Sequence, residues 1–193
     1  MKVLLLNGEK NINNTLFKYK EIIKQNLKER NYETETILLR EKEIASCTGC
    51  FGCWVKTPGI CVIDDYAREI ARSFINSDLV IFLTPVVFGG YSYQLKKALD
   101  RMIPLISPFF MVINGEVHHR PRYKKYPSLI GVGIMSGSSS EEQIEVFNKL
   151  IYRNTLNMHS QTHGSEVLLK EYEKEEMYEK IDNLLYRVVG HNE

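Results

Sequence analysis

The chain lacks an excess of either charge, any long apolar run, and cysteine outside one short stretch. It has 25 Lys and Arg against 24 Asp and Glu, for a formal net charge of +1 and a sequence pI near 7.7. That balance calls for neither nucleic acid nor a membrane as partner. No apolar run is long enough to span a bilayer. The apolar start, residues 1–6, is too short for an export signal, and Asn7, Gly8, Glu9 and Lys10 end it. A cytoplasmic protein is therefore expected. No internal repeat or low-complexity segment interrupts the chain, and no Ser-His-Asp set suggests a hydrolase. All four cysteines fall between positions 47 and 61. In a reducing compartment they read as ligands or redox groups, not as structural disulfides.

What remains is an ordinary globular composition. Of 193 residues, 44% are apolar and 25% charged, enough for one domain over 1–193 with a sizeable core. Short apolar runs alternate with amphipathic stretches. Lys2–Leu6, Thr34–Leu39, Leu79–Leu83, Leu129–Met135 and Glu166–Leu169 read as strands. Helices are predicted over Asn14–Arg30, from Asp64 or Asp65 to about Asn76, over Ser92–Ile103, from about Glu141 to Leu156, and over Lys170–Val189. Residues 45–62 read as loop. This alternation means βαβ units and a parallel sheet covered on both faces. Residues 109–126 break it. There Asn114-Gly115 is a hairpin signal, followed by a basic arm at 118–125, which reads as a solvated excursion from the sheet.

Ligands of such sheets bind beyond the carboxyl ends of the strands. Three turns there are rich in small or hydrogen-bonding residues. The first, 7–15, holds Asn7, Gly8, Lys10, Asn13, Asn14 and Thr15 and leads through Leu16 into a helix N-terminus, an anion-binding arrangement. The second, 84–91, sets Pro85, Val86, Val87 and Phe88 against Gly89 and Gly90, an apolar wall with open backbone that suits a flat ring. The third is Ser136, Gly137 and Ser138. The cluster Cys47-x2-Cys50-x2-Cys53-x7-Cys61 has the composition of an iron–sulfur, zinc or dithiol site, and its spacing does not choose among them. His159 and His163 lack a carboxylate spaced as a third metal ligand and read as ordinary histidines.

Together these residues resemble the NADPH-dependent FMN reductase and iron–sulfur flavoprotein branch of the flavodoxin-like superfamily. The likeness is densest from Cys47 to Arg101: the cysteine loop with Asp64-Asp65, the run 77–89, and Lys96 through Asp100-Arg101. The resemblance implies a doubly wound five-stranded parallel sheet of order 2-1-3-4-5, helices on both faces, and the hairpin-like insertion near 109–126. It implies FMN held at the three turns, with the phosphate at 7–15 and the ring between 84–91 and 136–140. NAD(P)H would be the electron donor, and a small molecule or protein the acceptor. A homodimer or homotetramer is expected. Cys47, Cys50, Cys53 and Cys61 are candidate ligands of a [4Fe-4S] cluster, which would make the protein an electron carrier. Where the family usually has a serine in the first turn, this chain has Glu9. A carboxylate there disfavours phosphate unless it is paired, for example with Lys10. That substitution is the main support for a third reading, a non-enzymatic regulator or metal-binding module.

Overall fold

The structure, a computed structural model, describes residues 1–10, 14–137 and 140–190. Five parallel strands form the sheet: β1 (Lys2–Asn7), β2 (Glu33–Leu38), β3 (Leu79–Pro85), β6 (Ser128–Met135) and β7 (His163–Leu169). Their order is β2-β1-β3-β6-β7. With the hairpin strands left out, this is the expected 2-1-3-4-5. Apolar alternation along the strands builds two cores. Leu4, Leu6, Val80, Phe82 and Leu129 face one way, against α3 (Ala67–Ile75), α4 (Tyr93–Leu99) and α5 (Glu141–Asn157). Val3, Leu5, Ile81, Leu83, Ile130 and Val132 face the other, against α1 (Asn14–Glu29) and α6 (Lys174–Val189). Since successive strand residues point to opposite faces, the continuous apolar runs are what a doubly covered sheet requires.

Several boundaries differ from the sequence reading. Residues 45–62 are not all loop: α2 (Gly52–Val55) makes one turn of helix inside the cysteine stretch. α4 stops at Leu99, and a 3-10 turn follows at Ile103–Leu105, with Pro104 near its start where its missing N–H costs no helical bond. β7 begins at His163, three residues early, and α6 begins at Lys174, because Lys170 still donates to Met135 at the sheet edge.

The insertion is a separate antiparallel pair, β4 (Ile106–Ile113) and β5 (Glu116–Pro121). Asn114 and Gly115 turn it with φ of 50° and 82°. The basic arm is solvated in part, with Arg120, Lys124 and Lys125 exposed, and bonded in part. His118 is buried, with Nδ1 3.1 Å from Asn157 Oδ1 and Nε2 3.3 Å from Glu116 Oε2. Arg122 Nε donates to Pro104 O at 2.9 Å. Among the described residues, no helix is long and apolar enough to cross a membrane.

Candidate functional site

All three turns lie at the carboxyl ends of β1, β3 and β6, next to the β1/β3 switch in strand order. The first is held by buried hydrogen bonds. Asn7 Oδ1 accepts from the Glu9 N–H at 2.8 Å, and the Gly8 N–H donates to Leu83 O at 2.8 Å. Only glycine fits at position 8: a Cβ there would stand 2.6 Å from Ser92 Oγ and 2.9 Å from Leu95 Cβ. Ser92 links two turns. Its hydroxyl donates to Gly8 O at 2.5 Å, its N–H donates to Thr84 Oγ1 at 3.0 Å, and its oxygen caps α4 through the Leu95 N–H at 3.3 Å.

Glu9 is paired, but with Arg40 instead of Lys10. Arg40 Nη1 lies 2.9 Å from Glu9 Oε2, and both side chains are largely buried, while Lys10 is exposed. Arg40 follows β2, 31 residues away, and no local pattern in the sequence marks it. Leu16 packs its side chain in the core, so it can meet a ligand only through its backbone N–H. Asn14 begins α1. Asn13 and Ser138 lie outside the described residues, as do the side chains of Asn14 and Thr15.

In the second turn, Val87 and Gly90 exchange backbone hydrogen bonds of 3.0 and 2.8 Å. Phe88 and Gly89 sit at the tip with φ of 50° and 76°, and Phe88 is 93% exposed. Pro85 ends β3, and Val86 packs on the core. Gly89 lies against Val146 of α5, which brings the second turn beside the third. There Ser136 is half-buried, Gly137 is exposed near Glu171, and Ser140 caps α5.

The four cysteines meet at one cavity of about 730 Å³, whose lining also includes Gly90 and Tyr91 from the second turn and His119 from β5. Cys47 and Cys50 are exposed, Cys61 is half-buried and Cys53 is buried, and all four are free thiols. The Gly52 N–H and the Thr48 hydroxyl lower the Cys50 pKa. Burial, with the neighbouring cysteines, raises that of Cys53. Among the described residues, no three His, Cys, Asp or Glu side chains are gathered as a single metal ion needs. Four thiols of one loop facing one cavity are a donor set that either a zinc ion or an iron–sulfur cluster takes.

Packed rings, one pair stacked and the others tilted, tie this loop to the hairpin. Phe51 lies on Trp54 with centroids 5.3 Å apart, Trp54 on His119 at 4.8 Å, and His119 on Phe110 at 4.7 Å. Trp54 Nε1 donates to Ile106 O at 3.0 Å. The other histidines serve packing: His159 Nε2 is 2.8 Å from His119 O, and His163 lies on Tyr152.

Sheet order and turns together define a flavodoxin-like domain. Residues 1–166 match the NADPH-dependent FMN reductase family, and the chain belongs to it. An iron-sulfur flavoprotein of Methanocaldococcus jannaschii is 39% identical over 106 residues, 54% of this chain and 53% of that protein. One from Methanosarcina thermophila is 37% identical over 87 residues, 45% of this chain and 44% of that protein. The chain thus spans about half the length of the curated relatives it matches. The solved NAD(P)H:quinone oxidoreductase from Methanothermobacter marburgensis superposes with a TM-score of 0.67 at 13% identity, covering 95% of this chain and 96% of that one. At that identity the likeness concerns the fold.

Proposed function

We propose that residues 1–193 form one domain that binds FMN at the three turns and carries electrons from NAD(P)H to a small-molecule or protein acceptor. The observation that carries this reading is the joining of the first two turns by Ser92, between Gly8 O and Thr84 Oγ1. It gives one preorganised rim at the switch point. Bound FMN supplies the hydride-accepting and electron-releasing chemistry. The chain's own part is positioning. The turn at Asn7 and Gly8 and the N-terminus of α1 hold the phosphate. Arg40 neutralises Glu9, which would otherwise repel it. Val86, Val87, Phe88, Gly89 and Gly90 offer the ring an apolar edge and backbone N–H groups, with Ser136, Gly137 and Ser138 on its other side. The Glu9–Arg40 pair also takes away the main support for a non-enzymatic module.

A second reading adds a [4Fe-4S] cluster on Cys47, Cys50, Cys53 and Cys61, supported by their common cavity with Gly90 and Tyr91. The relatives named iron-sulfur flavoproteins agree with it. Such a cluster would divide two-electron flavin chemistry into single-electron steps.

Protein purified without oxygen should show flavin absorption and, once loaded with FMN, oxidise NADH or NADPH. No flavin after added FMN overturns the proposal. Flavin with about four irons per chain establishes the second reading, and flavin without iron leaves the first. We expect a homodimer or homotetramer, and a monomer in sedimentation velocity would contradict that.

A further inference from the structure

The cysteine loop is closed from beneath by a buried ion pair. Arg101 follows α4 and is 1% exposed. Its guanidinium grips Asp65 with two parallel bonds, Nη1–Oδ2 at 2.8 Å and Nη2–Oδ1 at 3.0 Å. The same nitrogens donate to Ala45 O at 2.7 Å and Ile63 O at 3.2 Å, while Asp65 Oδ2 accepts from the Ala45 N–H at 2.8 Å. Ala45 and Ile63 stand just outside Cys47 and Cys61, so one pair clasps both ends of the loop. Arg68 fixes the backbone of Cys61 from the other side, with Nε 2.8 Å from Cys61 O.

These bonds use the four terminal N–H groups of the guanidinium and leave the fifth. Arg101 Nε is buried and has no hydrogen-bond partner. A buried donor left without an acceptor is destabilising. Cys61 lies beside the guanidinium and interacts with it both through charge and through side-chain hydrogen bonding. It also forms part of the walls of two cavities, the one shared by the four cysteines and a second that Arg101 lines.

We infer that Arg101 is a positioning residue for the cysteine site, holding the loop closed with Asp65 and keeping its Nε–H for the Cys61 sulfur when that sulfur is a metal-bound thiolate. The inference rests on the iron–sulfur reading of the loop. A hydrogen bond to a ligating sulfur offsets the negative charge gained on reduction, so it raises the cluster's potential. Arg101→Lys keeps the cation beside Asp65 and removes the Nε–H.

The test uses full-length protein reconstituted anaerobically with ferrous iron and sulfide and loaded with FMN. Iron content is measured, and the midpoint potential is followed by electron paramagnetic resonance. In Arg101→Lys the potential should shift to a more negative value with flavin content unchanged. If that variant does not fold, Asp65→Leu/Arg101→Met removes both partners at once and leaves no unpaired buried charge. The same negative shift, or loss of iron, is expected there. Wild-type potential and spectrum in whichever variant folds overturn the inference while the cluster reading stands. Wild-type protein that takes up no iron overturns the cluster reading and the inference with it, and its flavin content still reports on FMN binding.

Discussion

The rim of the proposed flavin site depends on two residues whose neighbours leave them little choice. Gly8 has no room for a Cβ, with Ser92 Oγ at 2.6 Å and Leu95 Cβ of α4 at 2.9 Å. We expect Gly8→Ala to cost about 1–3 kcal/mol in urea denaturation, the usual penalty for overpacking, and to weaken FMN binding as Ser92 is pushed aside. Unchanged affinity would mean that the turn does not hold the cofactor. Arg40 pairs with Glu9 beside the turn proposed to hold the phosphate. Arg40→Gln should raise the FMN dissociation constant about tenfold, roughly 1.4 kcal/mol, as read by quenching of flavin fluorescence. Adding Glu9→Gln should restore it. Failure of the second change to compensate would show that Arg40 acts otherwise than through Glu9. Gly8 was legible as a turn residue from its place after an apolar run, and Ser92 as the start of a helix, though not as its cap. The partner of Glu9 was not: Lys10 is adjacent in the chain, but Arg40 is adjacent in space because β1 and β2 are paired.

Among the elements, the β4–β5 hairpin has the least support of its own. A two-stranded ribbon is marginal alone, and this one is anchored by rings and by His118 on α5. Its turn needs positive φ at Asn114 and Gly115. Gly115→Val places a β-branched residue where such backbone is strained by about 1–3 kcal/mol. Trp54 is the only tryptophan, and its ring packs at a tilt against His119 of β5. We therefore expect its emission to move to longer wavelength in that variant while the sheet stays folded by far-ultraviolet circular dichroism. An unmoved emission maximum would show that ring packing holds the ribbon without the turn. The turn itself was legible, since Asn-Gly between apolar runs has few other uses. The docking of the arm was not. A row of His, Arg and Lys reads as solvated until it is known that Asn157, Pro104 and Phe110 offer acceptors to it.

Over the whole molecule, two aspartates tie distant segments and make stability depend on pH. Burial pushes the Asp65 pKa up, but Arg101 and the N–H groups of Ala45 and Ala67 outweigh it, leaving the carboxyl below its ordinary value. Lys125 and the Lys2 N–H lower that of Asp78. A depressed folded pKa adds stability that is fully present above the unfolded value, about 3.9, and is lost as pH falls through the folded value. Thermal midpoints should therefore hold between pH 7 and pH 5 and drop below about pH 4. Asp65→Asn should cost about 3 kcal/mol at neutral pH, as expected when one partner of a buried pair is removed. It should also make the acid limb shallower. An acid limb of wild-type steepness in that variant would assign the effect to other carboxylates.

The sequence alone determined the layered architecture, the strand-end turns and the grouping of the cysteines. Apolar runs with no polar face can only be strands covered on both sides, and those strands place their turns at one edge of the sheet. Strand pairing and the folding of the 45–63 loop decided the rest. They brought Arg40 to Glu9, Ser92 to Gly8, and Arg101 beneath Cys61. Each of those contacts joins residues 31 to 84 positions apart, a separation at which no local periodicity carries information. Their partners are selected by burial, which leaves a charge or a hydroxyl no alternative but the group the fold sets beside it.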